Sequence, residues 1–181
     1  MHVTQGRREM DFVPVSLEHL SFNPFTSTAE RWFLLTAGSR DTWNTMTCSW
    51  GTFGTLWHKS VCMVFVRPTR YTHRLMEESE TFTLSFLPEE HRPILQFCGS
   101  HSGRDVDKAA ATGLVPVELS AGIGFAQADL VIECRKIARW PMLPEGFLDA
   151  EAIEVFYPKK DYHTIYVGEI LEIWEKRQEE A

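Results

Sequence analysis

The sequence predicts a mainly β protein, a β-barrel decorated by short helices, forming a single domain over residues 1–181. Segments with strand character outnumber those with helix character, and the two kinds do not alternate regularly along the chain. A doubly wound α/β sheet is therefore improbable, and a barrel fits better. With 44% apolar residues, a chain of this length has enough apolar surface to bury a substantial core.

Strand character is concentrated in segments rich in β-branched and aromatic residues. The first ends at Gly38-Ser39, and the third ends at Pro68, which cannot donate to a central ladder. In order along the chain, the predicted strands cover residues 31–37, 44–52, 60–67, 81–87, 130–139 and 163–173.

Between these strands we predict short helices at residues 72–79, 91–98 and 105–112. Thr72 and Asp105 stand where they would cap the first and third of them, and Gly113 suits a left-handed cap after the third. The apolar segment 140–150 is typical of a loop that covers a pocket or a subunit contact.

Composition excludes several classes of partner. A net charge of −7 and a pI near 5.5 argue against nucleic acid or an anionic membrane. No apolar run approaches the roughly 18 residues of a membrane span, and residues 1–9 lack the apolar core of a signal peptide. We therefore expect a cytoplasmic protein.

Metal binding and several kinds of catalysis find no support in the motifs. The cysteines, Cys48, Cys62, Cys98 and Cys134, are widely spaced, and the histidines show no ligand spacing, so we expect no metal site. Gly122-Ile123-Gly124 lacks the third glycine of a dinucleotide fingerprint. Residues 99–103 have the glycine spacing of a hydrolase nucleophile elbow, but the central residue is His101 where that motif has serine.

The segment 44–54 is uncharged, rich in hydroxyls and punctuated by glycines. Thr45, Thr47 and Ser49 alternate, so their hydroxyls are expected on one side of a strand, although a half-exposed strand explains threonines equally well. Gly51 and Gly54 favour a ligand, because glycine in a strand often marks a close approach. Backbone groups here would match the donors and acceptors along the pyrimidine edge of a flavin.

Two further segments carry cations beside hydroxyls. Arg67 and Arg70 precede a predicted helix, and arginines at a helix amino terminus make a phosphate site. Ser102 and Arg104 precede another helix, which contains Lys108. Unpaired surface arginines, helix caps and a helix-surface ion pair are the alternative explanations.

A few single residues have weaker functional signals. Trp50 and Trp57 could stack on a flavin, but large aromatic residues more often lie in a core or an interface. Cys48 is more simply a small buried hydrophobe than a redox partner. His163 begins the last predicted strand and on its own carries little weight.

Taken together, these motifs resemble the flavin reductase-like family of FMN-binding split barrels, and especially its flavoredoxin branch. The resemblance spans about residues 25–173 and rests on the order and separation of the motifs. They are Asn44-Thr45-Met46-Thr47 with Ser49-Trp50-Gly51, Arg67-Pro68 with Arg70-Tyr71-Thr72, Ser102-Gly103-Arg104-Asp105 with Asp107-Lys108, and His163 with Tyr166-Val167-Gly168-Glu169-Ile170.

The resemblance implies a six-stranded split barrel that forms a homodimer and holds FMN non-covalently near the subunit boundary. The isoalloxazine would be lined by Thr45, Met46, Thr47, Cys48, Ser49, Trp50 and Gly51. The ribityl phosphate would lie against Arg67, Arg70, Tyr71 and Thr72, with Ser102, Arg104 and Lys108 as a second wall. His163 would lie near the flavin or the nicotinamide approach.

The expected function is therefore an NAD(P)H-dependent flavin reductase that passes electrons through bound FMN to a small-molecule or protein acceptor. It needs no catalytic side chain, because the flavin carries the chemistry. The alternative is a flavoredoxin-type FMN electron carrier without NAD(P)H activity. A pyridoxamine phosphate oxidase and a barrel that has lost its cofactor are further alternatives. The sequence does not distinguish NADH from NADPH, or Arg67 from Arg70 as the phosphate ligand.

Overall fold

A computed structural model describes residues 12–177, so the expectation for residues 1–9 lies outside the described residues. The strands are β1 (Phe12–Pro14), β2 (Phe33–Gly38), β3 (Trp43–Cys48), β4 (Gly51–Leu56), β5 (Lys59–Val66), β6 (Thr81–Phe86), β7 (Pro116–Glu118), β8 (Ile123–Phe125), β9 (Leu130–Pro141) and β10 (Thr164–Lys176). The α-helices are α1 (Pro24–Thr26), α2 (Tyr71–Glu78), α3 (Arg92–Ser100), α4 (Lys108–Thr112) and α5 (Ala150–Phe156). A π-helical segment covers Ser27–Arg31, and 3-10 segments cover Glu89–His91 and Pro144–Gly146.

Within residues 12–177, the main sheet has eight strands, all antiparallel, in the order β3-β2-β6-β9-β10-β5-β4, with β1 pairing with β10. Its two edge strands, β3 and β4, are joined directly through Ser49 and Trp50. In a flat sheet these edges would lie about 29 Å apart, whereas three residues of chain span at most about 11 Å. The sheet therefore curls until its edges meet at one corner, but β3 and β4 do not pair.

Apolar residues are buried on both faces of the curled sheet. On the inner face, Phe33, Leu84 and Tyr166 belong to a continuous apolar core. On the outer face, Leu34 packs with Leu95 of α3 and with neighbouring apolar residues. This second layer places α3 and α4 beside the free edge of β3, where the cavities described below lie.

The mainly β class with short helices is confirmed, and each of the six predicted strands overlaps an observed one. The count of six is not confirmed, because β1 and β4 also belong to the main sheet. The prediction of one strand over 44–52 was wrong. The chain turns at Ser49-Trp50, and residues from Gly51 pair with β5 as a separate strand.

Two helix caps also differ from the prediction. Arg70 is the residue before α2, and the Thr72 hydroxyl, in the second helical position, accepts instead from the Asn44 amide at 2.7 Å. The helix predicted from residue 105 begins at Lys108, because Asp107 rather than Asp105 accepts the amide of Ala110. Gly113 has φ of 74° and forms the expected left-handed cap.

The segment 140–150 is only partly a loop. Trp140 and Pro141 still belong to β9, Pro144–Gly146 forms a 3-10 turn, and Ala150 begins α5. Within residues 12–177, no helix is long and apolar enough to span a membrane. The same residues contain no group of three or more His, Cys, Asp or Glu placed to hold a metal ion.

Candidate functional site

Two adjoining cavities lie between the free edge of β3, the start of α2 and the segment after α3. The basic cavity has a volume of about 470 Å³, and the edge cavity about 180 Å³. They share Met46, Arg67 and Arg70, so they form one continuous groove. The basic cavity is lined by Asn44, Met46, Arg67, Thr69, Arg70, Tyr71, Thr72, Ser100, His101, Ser102, Gly103, Arg104, Asp105, Lys108 and Asp161. The edge cavity is lined by Met46, Thr47, Cys48, Ser49, Trp50, Phe65, Arg67, Arg70 and His163.

Cations dominate the basic cavity. Arg70 donates to the carbonyl of Gly99 at 2.7 Å, and Arg104 lies 5.1 Å from the centre of the Tyr71 ring. Within the described part of the chain, neither arginine forms a salt bridge. Their positive charge is therefore not neutralised by a carboxylate partner, which suits the binding of an anion.

Arg67 differs from these two arginines. Its guanidinium donates to the carboxylate of Asp161 at 2.7 Å and to the carbonyl of Phe156 at 2.8 Å. It also lies 5.0 Å from the centre of the Tyr157 ring. Arg67 thus fastens the segment after α5 to the end of β5, and these two bonds use two of its five donors.

Lys108 is buried, and its ammonium donates to the carbonyls of Thr45 and Cys98, each at 2.7 Å. Burial lowers the pKa of Lys108, although the group remains hydrogen bonded on two sides. Because an ammonium has three donors, one remains for a ligand in the basic cavity. Lys108 also ties α4 to the edge of β3.

The start of α2 faces the basic cavity. No side chain of the described residues caps the helix, and its first turn contains no acidic residue, so its first amides are available to an anion. Asn44 braces this turn through its bond to Thr72. A Cβ on Gly103 would lie 1.9 Å from the Asn44 side-chain oxygen, so glycine is needed for this close approach.

The edge cavity lies along the free edge of β3. The carbonyl of Thr45 accepts from the Lys108 ammonium and the Asn44 amide, so we infer that it points outward from the sheet. Backbone groups of alternate residues point the same way in an antiparallel strand, so the amide and carbonyl of Thr47 also face outward. The edge therefore presents backbone donors and acceptors to this side of the groove.

The threonine hydroxyls are used within the protein. Thr45 donates to the carbonyl of Leu35 at 3.2 Å, and Thr47 donates to the carbonyl of Leu95 at 2.5 Å. The Thr45 side chain does not line the groove, and Gly51 lines a third, apolar cavity instead. The contribution of this strand is thus its backbone rather than a row of hydroxyls.

His163 lines the edge cavity and is buried. Its Nδ1 is 2.7 Å from the Tyr157 hydroxyl, and its ring centre is 5.2 Å from that of Trp50. Burial, followed by the charge of Arg67, lowers the pKa of His163 to about 4, so the imidazole is neutral at pH 7. Burial raises the pKa of Cys48 to about 12, which keeps it a thiol rather than a reactive thiolate.

Most of the residues predicted for the site lie in the groove, namely Met46, Thr47, Cys48, Ser49, Trp50, Arg67, Arg70, Tyr71, Thr72, Ser102, Arg104, Lys108 and His163. Sequence reasoning did not assign a site role to Asn44, Thr69 or Asp161, which also line it. Asn44 stands beside the predicted strand motif and could have been found there. The partner of Arg67 is far away in the sequence, and no local pattern points to it.

An open antiparallel sheet with a cationic groove along one edge strand defines a mainly β protein suited to a phosphorylated ligand. The chain belongs to the flavin reductase-like family, because the model of the flavin reductase like domain matches residues 25–181. No curated protein sequence matches it significantly.

Solved structures share the fold at low sequence identity. The FMN-binding protein from Thermus thermophilus, crystallised with p-hydroxybenzaldehyde, has a TM-score of 0.63 and 22% identity, covering 80% of this chain and 71% of that chain. Flavoredoxin from Methanosarcina acetivorans has a TM-score of 0.64 and 20% identity, covering 83% and 71%. The NADH:FAD oxidoreductase of Streptomyces globisporus in complex with NAD and FAD fragments has a TM-score of 0.60 and 20% identity, covering 80% and 74%.

Proposed function

We propose that this protein is an FMN-binding oxidoreductase, an NAD(P)H-dependent flavin reductase that passes electrons through FMN to a second acceptor. Membership of the flavin reductase-like family supports flavin oxidoreductase activity. Structural neighbours include an FMN-binding protein, a flavoredoxin and an NADH:FAD oxidoreductase. The finer assignment of FMN as the cofactor rests on the groove, whereas that of NAD(P)H as the donor rests on the likeness to a reductase.

The observation that carries the proposal is the convergence of Arg70, Arg104 and Lys108 at the first turn of α2. In a protein of net charge −7, such a local cluster of cations favours an anionic partner. Guanidinium groups and free helix amides suit a phosphate monoester. We therefore assign the basic cavity to the FMN phosphate and ribityl chain.

The flavin ring would occupy the edge cavity. Outward backbone groups of Thr47 would pair with the pyrimidine edge, while Trp50 and Phe65 supply aromatic surface. Arg70 lines both cavities, so it can contribute positive charge near the ring as well as near the phosphate. A cation there would stabilise a reduced, anionic flavin.

When bound, FMN supplies the hydride and electron chemistry. The chain's own residues then bind and orient the cofactor, and the neutral His163 borders the approach to the ring. No catalytic side chain is assigned.

We also propose a homodimer and a single domain over residues 1–181. Exposed apolar side chains such as Leu143 and Leu148 favour an interface between two copies of the chain.

The test is a visible absorption spectrum of the FMN-loaded protein before and after anaerobic NADH or NADPH. Rapid bleaching by either nucleotide is expected for a reductase. Bleaching by dithionite alone would favour the second candidate, a flavoredoxin-type carrier, for which the missing dinucleotide fingerprint is the supporting observation. Failure to retain any FMN would overturn both.

A further inference from the structure

A third cavity adjoins the ring end of the groove. This apolar cavity has a volume of about 470 Å³ and shares Ser49, Trp50 and Phe65 with the edge cavity. Its remaining lining residues are Thr28, Gly51, Met142, Phe147, Ala152, Phe156 and Tyr157. A molecule bound there would therefore lie next to whatever occupies the edge cavity.

The outer wall of the apolar cavity is a built structure. Ala152 and Phe156 are one turn apart on α5, so they share a face of that helix. The Phe156 ring packs edge-on against Trp50, with centroids 5.4 Å apart. Arg67 holds the end of α5 through the Phe156 carbonyl. Arg67 also lines the groove, so it joins the outer wall of the apolar cavity to the groove.

The chemistry of the lining selects for an uncharged aromatic ligand. Among residues 12–177, no carboxylate, ammonium or guanidinium lines the cavity, so a charged ligand would lose its hydration without compensation from them. The Trp50, Phe65 and Phe156 rings favour stacking or edge contacts with another ring. Polar groups are confined to hydroxyls, including Ser49 and the Tyr157 phenol beside His163.

Size agrees with a small molecule. The volume lies within the roughly 300–1,000 Å³ of ligand pockets, which is ample for about one or two fused rings. We propose that the apolar cavity binds an uncharged aromatic co-substrate beside the flavin ring. Its role as electron acceptor rests on the proposed function, whereas its affinity for aromatic molecules is measurable separately.

The test is isothermal titration of the FMN-supplemented protein with 2-naphthol, repeated without FMN. We expect saturable binding that changes the visible spectrum of the bound flavin. Ala152→Trp fills the cavity and should weaken 2-naphthol binding by about tenfold or more, with FMN affinity unchanged. Glu154→Trp places the same indole on the exposed opposite side of α5 and should leave both affinities unchanged.

Other outcomes would overturn the proposal. The proposal is wrong if 2-naphthol shows no saturable binding, or if Ala152→Trp leaves the affinity for 2-naphthol unchanged. It is also wrong if Glu154→Trp lowers that affinity as much as Ala152→Trp does. Trp50 and Phe156 are 42% and 46% exposed, so a second copy of the chain is the competing occupant. Light scattering that shows Ala152→Trp dissociating a dimer would assign the face to that copy. Loss of FMN binding in the unmodified protein would instead defeat the proposed function and leave the 2-naphthol result interpretable.

Discussion

The guanidinium of Arg67 is held by the carboxylate of Asp161 at 2.7 Å, a bond that joins two residues far apart in the sequence. The guanidinium of Arg70 has no such partner within residues 12–177, where it donates only to the Gly99 carbonyl. Two arginines that are equivalent by sequence therefore have different environments. We expect Arg70 to bind phosphate and Arg67 to fasten the segment after α5.

Arg70→Ala should weaken FMN binding by roughly 10- to 100-fold, because a charge-assisted hydrogen bond contributes about 1.5–3 kcal/mol. Arg67→Ala should weaken it less and should instead increase proteolytic cleavage between residues 142 and 162. Fluorescence titration with FMN measures the first effect. Riboflavin, which lacks the phosphate, is the control ligand and should be affected little by Arg70→Ala.

An Arg67→Ala variant that loses as much FMN affinity as Arg70→Ala would contradict this division of roles. So would an Arg70→Ala variant that loses equal affinity for riboflavin and FMN.

Gly103→Ala should lower FMN affinity, because the new methyl group would displace the Asn44 side chain that braces Thr72. Gly54→Ala is the matched control, since a Cβ at that position meets nothing within 4 Å. The FMN affinities of the two variants are measured by the same fluorescence titration. Circular dichroism checks that both variants are folded. Equal behaviour of the two variants would show that the Asn44 contact does not matter.

Lys108→Met should destabilise the protein by about 1–3 kcal/mol, because the buried carbonyls of Thr45 and Cys98 lose their donor. Lys59→Met removes a partly exposed ion pair with Glu169 and should cost no more than about 1 kcal/mol. Urea unfolding measures both. A smaller effect at Lys108 than at Lys59 would argue against its structural role.

The pKa of His163 predicts a dependence of stability on pH. The unfolded chain protonates this histidine near its ordinary pKa of about 6.5, but the folded protein only near 4. Between about pH 6.5 and pH 4, the unfolded state therefore binds more protons than the folded state. The free energy of unfolding falls as the pH falls through this range. The stabilisation is complete above about pH 6.5 and declines by up to about 3 kcal/mol toward pH 4.

Thermal unfolding at pH 7 and pH 4.5 checks this dependence. His163→Gln should show a smaller loss of stability between the two pH values than the unmodified protein. His58→Asn, at an exposed position with φ of 58°, should keep the full loss. An unchanged pH dependence in His163→Gln would exclude a depressed pKa at this residue.

Much of the fold was predictable because its strands have strong local signals. The strands β2, β5, β6, β9 and β10 are β-branched or aromatic runs bounded by turn residues. The break between β3 and β4 was missed, since Trp50 is not a typical turn residue and the strand signal runs through it. Tertiary pairing sets this break, because β3 pairs with β2 as far as Cys48 and β4 pairs with β5 from Gly51.

The candidate site was predictable as a set of segments but not as a geometry. Cations beside hydroxyls identified the residues that gather in the basic cavity. The hydrogen-bond partners of Thr47 and Arg67 come from distant parts of the chain, and they engage groups that the sequence alone leaves free for a ligand. Which groups remain free for a ligand is a property of tertiary structure, and no local pattern contains it.

The most direct measurement is a titration of the purified protein with FMN, followed by flavin fluorescence, with riboflavin titrated in parallel. We predict saturable FMN binding that is at least about tenfold tighter than riboflavin binding, because the basic cavity holds the phosphate. The absence of FMN binding, or equal affinity for the two flavins, would contradict the assignment of this groove to a flavin nucleotide.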